Sequence, residues 1–404
     1  MKLFYLTPQL PYPPRQGTAI RNWGLMRHLS ERHEVGYVSF VGPGQALPPP
    51  TPEGPCLLGT APQPPWPVAA RLRVLLAGQP DLARRLWSPE FAEVLRHALE
   101  QFVPDMVQIE GLELAAYLAN IRRAAPQARV VYDAHNAEHV IQDRAWLSDR
   151  RQPRRWPAAL YSAVQARRLA RLEGRVCAEV AAVTVVSSED AAALVRLAPA
   201  VQPELVPNGI DTAAYVEAGV ATPVLTGACD LVFTGKMDYR PNLDAALWFA
   251  DEVLPRIRAR RPEARLVLVG QQPAAALVQR GQQAGVVVTG AVEDTRPYIA
   301  SAAVYVAPLR MGGGTRFKLL EAMAMARPAV STRLGAEGFA VEDGRELLLA
   351  DGPAELADAC LRVLEDAALG RRLGLAGREF VHAHHEWDII VPRLESLYAN
   401  LGSA

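Results

Sequence analysis

Residues 307–330 read APLRMGGGTRFKLLEAMAMARPAV. An apolar run, VYVA, ends where the stretch begins, and a second apolar run, PAVST, starts where it closes. Between them lie three glycines, Gly312, Gly313 and Gly314, and a segment with helical apolar spacing at Phe317, Leu320 and Ala324. Strand, bare turn, helix, strand is the repeating unit of a parallel sheet covered by helices. Glycine frees the backbone for positive φ and for close approach to a ligand. Thr315 reads as an N-cap, which places the helix start at Arg316. Unpaired N–H groups and the helix dipole there favour an anion. Lys318 and Glu321 are three apart and share one side of the helix. An anion under Lys318, with Glu321 holding hydroxyls one turn on, suits a nucleotide diphosphate and its ribose. The plainer reading is a glycine turn followed by an ordinary Lys–Glu pair.

Working outward, the same alternation fills the chain. KLFYLT, residues 35–41, MVQIEG, RVVYDAHN and AAVTVVSS read as strands, with helices expected over 19–32 and 160–177. The proline-rich tract 43–67 is expected to be irregular. A break among turn formers spans 203–223, and LVFTG, a helix over 243–260, RLVLVG, VVVTG, VYVAP and PAVST follow. The fold class is therefore α/β, with two doubly wound Rossmann-like domains facing across a cleft. Their expected bounds are 1–207 and 208–384, with a final helix, 385–404, packing back on the first. Ligands in such sheets sit beyond the carboxyl ends of the strands. The segments to watch are thus the PPRQGT loop, EGLE, DAHNAEH, TGKMDYRPN, TGAVED and the triple glycine.

Composition excludes several classes. Lysine plus arginine equals aspartate plus glutamate at 43 each, which argues against a nucleic-acid partner. The four cysteines, Cys56, Cys177, Cys229 and Cys360, have no metal-ligand spacing and fit a reducing compartment. The opening MKLFYLTPQLPYPP reads as neither signal peptide nor anchor, so a cytoplasmic protein is expected. Lysine occurs only as Lys2, Lys236 and Lys318. Lys236, after LVFTG, either points at a phosphate or caps a surface turn. His135 sits in a polar rim with Asp133, Asn136 and Glu138, either as a site residue or as a satisfied rim histidine. Glu110 and Glu113 could orient an acceptor, and Asp190 reads as helix N-terminal charge.

The ordered set VPNGID, LVFTGKMDYRPN, RLVLVGQQP, VVVTGAVEDTRPYIASAAVYVAPLR, GGGTRFKLLEAMAMARPAVST and EWDIIVPRLESLYANL resembles the family 4 glycosyltransferases, retaining enzymes of the GT-B fold. PPRQGTAIRNWGLMRHLSERHEV resembles the family's first glycine loop and helix, so the likeness covers nearly the whole chain. The resemblance implies retaining sugar transfer from a nucleotide-diphosphate sugar to a glycan or polyisoprenoid-linked acceptor, as in bacterial surface or exopolysaccharide synthesis. It implies that Glu321 binds the ribose, and that Gly312 to Thr315, Arg316 and Lys318 hold the diphosphate. Val292 would meet the base, Gly17 would offer an amide to the diphosphate, Gly235 and Lys236 would line the donor site, and His135 would lie near the donor sugar. Gly313 stands where many members carry a first glutamate, so that contact is absent or differently supplied. No DxD motif is seen, and neither metal nor cofactor is expected. Two other readings stay open: a catalytically silent donor-binding partner of another transferase, and a non-hydrolysing nucleotide-sugar epimerase.

Residues 144–175 hold nine arginines and two acids, with Trp146, Trp156 and Tyr161 interleaved. The segment is either a solvated helical face or a surface that rests on anionic lipid at the inner membrane.

Overall fold

The computed structural model describes residues 1–14, 17–49, 54–150, 152–219, 224–225 and 227–403. Arg15 and Gln16 of the first glycine loop, residues 50–53 of the proline-rich tract, Arg151 and residues 220–223 lie outside the described residues. The chain divides into two units, Met1–Gly209 with Trp387–Ala404, and Ile210–Glu386. Both divisions fall two residues beyond the boundaries expected at 207 and 384.

The first unit carries a seven-stranded parallel sheet in the order β3-β2-β1-β4-β5-β6-β7. Its strands are β1 Lys2–Thr7, β2 Glu34–Val41, β3 Cys56–Pro62, β4 Met106–Glu110, β5 Arg129–Ala134, β6 Ala182–Val185 and β7 Glu204–Leu205. The near-continuous burial of β1, β4 and β5 is what a parallel sheet covered on both faces requires. The proline-rich tract is not wholly irregular, since β3 forms within it as the sheet edge. An edge tolerates Pro62 at the strand's end, and proline there hides the strand signal.

The second unit carries a six-stranded parallel sheet, β10-β9-β8-β11-β12-β13. These are β8 Asp230–Thr234, β9 Arg265–Val269, β10 Val286–Gly290, β11 Val304–Ala307, β12 Ala329–Ser331 and β13 Leu348–Leu349. The helix expected over 243–260 is interrupted. Helices Arg240–Trp248 and Leu254–Arg260 are joined by a π-helical turn, Phe249–Val253. Pro255 explains the break, because it has no N–H to continue the ladder.

The C-terminal helix, Trp387–Gly402, belongs to the first unit. Its Trp387, Ile390, Val391, Leu394 and Tyr398 pack with Leu25, Met26 and Leu29 of the first helix, Gly17–Ser30. Trp387 lies in a slot between two glycines. A Cβ on Gly24 would come within 2.0 Å of the indole, and one on Gly209 within 2.4 Å.

Candidate active site

In each sheet the strand order reverses once, between β1 and β4 and between β8 and β11, and ligands of doubly wound folds sit outside such switch points. Both reversals carry the chain's unusual charge.

In the second unit, β8 runs into Gly235 and β11 into the triple-glycine turn. Gly312 and Gly314 adopt φ of 103° and 75°, which bulkier residues resist. The helix behind the turn is Phe317–Ala324, so Thr315 is not its N-cap. Arg316, in extended conformation, takes that place without a side-chain cap. The reason is local: Arg316 turns back and its Nη1 donates to the Gly313 carbonyl, drawing the turn closed one residue later than expected. The Thr315 hydroxyl is left buried with no hydrogen-bond partner among the described residues.

Lys318 reaches from this helix to β8. Its Nζ donates to Asn242 Oδ1 at 2.7 Å and lies 4.2 Å from the Phe233 ring centroid. The Asn242 amide nitrogen donates to the Lys236 carbonyl at 2.9 Å. A Cβ on Gly235 would come within 2.9 Å of the ammonium and 2.7 Å of Asn242 Nδ2, so only glycine leaves room there. Burial, reinforced by the charge of Arg316, lowers the Lys318 pKa to about 7 despite the opposing pull of Glu321. Glu321 accepts from Tyr215 Oη at 3.0 Å, and burial raises it to about 7 although Tyr215 and Lys318 pull it down. Arg296 braces this corner, donating to the Ala214 carbonyl and lying 5.9 Å from the Tyr215 ring. Val292, half-buried in the loop after β10, packs on the same core as Tyr215. Lys236 joins only through its main chain. Its side chain is 50% exposed and pairs with Asp238 at 3.5 Å, the surface-turn reading of that residue.

In the first unit, three buried charges and the half-buried His135 cluster beside β4 and β5. Arg21 grips Asp133 with two parallel bonds, Nε to Oδ2 at 2.8 Å and Nη2 to Oδ1 at 2.9 Å. Its Nη1 donates to the Pro207 carbonyl at 3.0 Å. His135 Nε2 lies 2.8 Å from Glu110 Oε2 and 3.3 Å from Asp133 Oδ2. Burial opposes the imidazolium, but Asp133 and Glu110 outweigh it and lift His135 to about 10. Burial likewise raises Asp133, yet Arg21 and His135 hold it well below the ordinary carboxylate range. Glu110 is raised, by burial and by the neighbouring Asp133 charge. Two cations and two carboxylates therefore cancel. The contacts of His135 run through Nε2, and its Nδ1 has no hydrogen-bond partner among the described residues.

The network extends backward. Gln108 Nε2 donates to Glu110 Oε1 at 2.6 Å, Tyr398 Oη donates to Gln108, and Tyr5 and Tyr398 share a bond of 2.8 Å. The loop after His135 is pinned where Asp190 Oδ1 accepts from Ala137 N at 2.7 Å and Glu173 accepts from Glu138 N at 2.6 Å. Asp190 thus ties two rim segments together as well as charging its own helix. Glu113 pairs with Arg85 at 3.1 Å. Gly17 opens the first helix.

Glu110, Asp133 and His135 are close enough to hold a cation. The donor chemistry fits one poorly, since Arg21 occupies both Asp133 oxygens and already supplies positive charge.

Against known families, residues 16–214 match the model described as Glycosyltransferase Family 4, and residues 228–366 match Glycosyl transferases group 1. The chain belongs to the family 4 glycosyltransferases. The fold of this glycosyltransferase is GT-B, two Rossmann-like domains. It is similar over its full length, and the full length of the other chain, to sucrose-phosphate synthase from Thermosynechococcus elongatus, at TM-score 0.76 and 20% identity. Anabaena Alr3699/HepE in complex with UDP matches at TM-score 0.64 and 14% identity, covering 99% of this chain and 100% of the other. Among curated relatives, the phosphatidyl-myo-inositol mannosyltransferase of Mycobacterium leprae is 29% identical over 212 residues, 49% of this chain and 54% of the relative. An uncharacterized 44.6 kDa protein in the cps region of Klebsiella pneumoniae is 19% identical over 39% of this chain and 43% of the relative. The chain thus spans about half the length of the curated relatives it matches.

Of the site residues expected from sequence, Gly235, Lys318, Glu321 and the turn 312–316 gather at the second unit's switch point, and His135, one strand beyond the first unit's, reaches Glu110 at the end of β4. Asn242, Tyr215 and Arg21 were not expected. Asn242 lies in the quoted TGKMDYRPN rim segment and Tyr215 closes VPNGIDTAAY, so position was the available signal for both. Arg21 lies on the buried face of the first helix, where a charge is rare unless paired, and that rarity was its signal.

Proposed function

We propose that the protein transfers a sugar from a nucleotide-diphosphate donor to a glycan or polyisoprenoid-linked acceptor, with retention of anomeric configuration and without a metal ion. The observation that carries this reading is Lys318: a half-buried ammonium hydrogen-bonded to a neutral amide, beside a bare glycine turn at a switch point. Desolvation and Arg316 penalise this charge, Glu321 offsets the penalty only in part, and a diphosphate would supply the rest.

In this reading, Lys318 and the amides of 312–316 receive the negative charge that grows on the leaving diphosphate as the C1–O bond breaks. Preorganised donors of this kind are usually the largest electrostatic contribution to catalysis. The attacking acceptor hydroxyl gives its proton to the departing phosphate oxygen, and the new C1–O bond forms on the face the diphosphate leaves. The Glu321 carboxylate, fixed by Tyr215, accepts from ribose hydroxyls. The family resemblance puts His135 near the donor sugar, where the Nδ1–H of an imidazolium can donate to a hydroxyl. A role in bacterial surface-polysaccharide synthesis, in the cytoplasm and at times against the inner membrane, belongs to the same proposal.

Thermal-shift screening against UDP-, GDP- and ADP-sugars, followed by release of nucleoside diphosphate without acceptor, tests the reading. Loss of that release in Lys318→Ala and Glu321→Ala is the expected result, and equal release in both variants would overturn it. The anomeric signal of the product, read by NMR, tests retention, and an unchanged rate in EDTA tests metal independence. Gly313 favours the second reading, a silent donor-binding partner, because no side chain reaches the donor from that position. Nucleotide binding without any release would support it.

A further inference from the structure

The helix Val68–Leu76, VAARLRVLL, has no buried residue. Nine residues are too few to hold a helix in water by propensity, so such a helix ordinarily depends on a covered face. Here the apolar face points outward. Val68, Leu72 and Leu76 recur every four residues and therefore share one stripe, exposed by 69%, 55% and 88%. Arg71 and Arg73 flank that stripe on either side and are exposed.

A second ridge lies beside it. On the helix Trp156–Glu179, Trp156 and Leu160 are one turn apart and exposed by 62% and 64%. Asp81, in the segment after the helix Val68–Leu76, links the two elements: it accepts from Tyr161 Oη at 2.6 Å and pairs with Arg71 at 3.4 Å, while Arg168 Nη1 donates to the Gln79 carbonyl at 3.0 Å. Among the described residues of 68–81 and 144–168, eight arginines stand against two aspartates. Both aspartates are already engaged, Asp81 with Arg71 at 3.4 Å and Asp149, fully buried, with Arg155 at 3.3 Å. Arg73, Arg150 and Arg154, on or beside the same segments, are exposed.

We propose that this paired ridge is a lipid-docking surface, in which Val68, Leu72, Leu76, Trp156 and Leu160 enter the headgroup boundary of an anionic bilayer and the surrounding arginines meet its phosphates. Charge complementarity selects that occupant. A second copy of the chain would set arginine against arginine across a symmetric contact, whereas outward apolar residues ringed by cations are the composition of an interfacial helix. The proposal deepens the lipid-linked-acceptor reading of function and rests on it only for its purpose, since docking needs neither donor nor acceptor.

The test is flotation of the full-length protein with phosphatidylcholine vesicles, with and without about 30 mol% phosphatidylglycerol. Nucleoside-diphosphate release from soluble donor is measured in parallel without vesicles. The expected result is flotation with anionic vesicles only, weakened by added salt. Leu72→Ser with Leu76→Ser should lower vesicle affinity by at least about tenfold through lost apolar burial, and Arg73→Glu with Arg154→Glu should abolish it. Unchanged donor release in both variants would show them to be folded. No flotation with anionic vesicles, flotation indifferent to both variants, or an oligomer that Leu72→Ser with Leu76→Ser dissociates in light scattering would each overturn the proposal. Flotation by a protein that never releases or binds nucleotide would leave this surface standing and sink the transferase reading instead.

Discussion

Two half-buried cations, Lys318 behind the reversal strand β11 and His135 after β5, one strand beyond the first unit's reversal, are treated in opposite ways. His135 stands between two carboxylates and is driven toward its charged form. Lys318 meets an amide and a ring face and is driven toward its neutral form. The first arrangement is complete by itself and can only orient. The second sets Lys318 with Arg316 against the single carboxylate of Glu321, and in the proposed function a diphosphate supplies the remaining negative charge. The proposed function rests on the Lys318 cluster, while the first cluster holds His135 in one orientation.

The sharpest way to break this contrast is Asp133→Ala. It strips Arg21 and His135 of a shared counter-charge and should cost about 3–5 kcal/mol of stability, measured by urea denaturation. Near-native stability would mean the quartet is not a unit. Lys318→Met should do the reverse. Donor turnover falls at least about 10²-fold, the scale of one lost oxyanion donor. Meanwhile, the ligand-free protein gains about 1 kcal/mol at pH 6, since an unmatched charge leaves the interior. Lost stability in this variant would make Lys318 a structural residue.

The pH response sharpens the contrast further. Lys318 has a folded pKa of about 7, below its ordinary value, so the unfolded chain holds the extra proton above pH 7. Its destabilising effect is complete below pH 7 and fades as pH rises above it. A bound diphosphate restores the proton, so nucleotide affinity should fall by up to about tenfold per pH unit above 7. Calorimetry in buffers of different ionisation heat should show proton uptake there. Glu321, raised to about 7, acts on the other limb: affinity for the ribose falls as the carboxylate is protonated below pH 7. In Lys318→Met only that acidic limb should remain. The smallest effect is expected from Tyr398→Phe, which removes one link behind Glu110 and should cost about 1 kcal/mol, with donor affinity unchanged.

Much of the fold could be read from the chain because buried parallel strands and glycine rims leave strong local marks. LVFTG and VYVA announced their strands, while the switch point between them came only with the strand order. What escaped reading was decided by partners distant in sequence. β3 exists because β2 pairs with it, not because CLLGTAP prefers to be extended. Thr315 looked like a cap, but Arg316 folding back onto Gly313 moved the helix start. Tyr215 meets Glu321 across 106 positions and Arg21 meets Asp133 across 112. No local pattern records such pairs. Lys318 and Glu321 were legible because they sit on the motif itself.

The indole of Trp387, slotted against Gly24 and Gly209, sets an order of assembly. Synthesis delivers the first unit's sheet and then the entire second unit before the helix that seals the first unit has been made. The half made first is thus the half finished last. Until Trp387–Gly402 has left the ribosome, Leu25, Met26 and Leu29 lack the cover that this helix brings, an opening for chaperones or for aggregation.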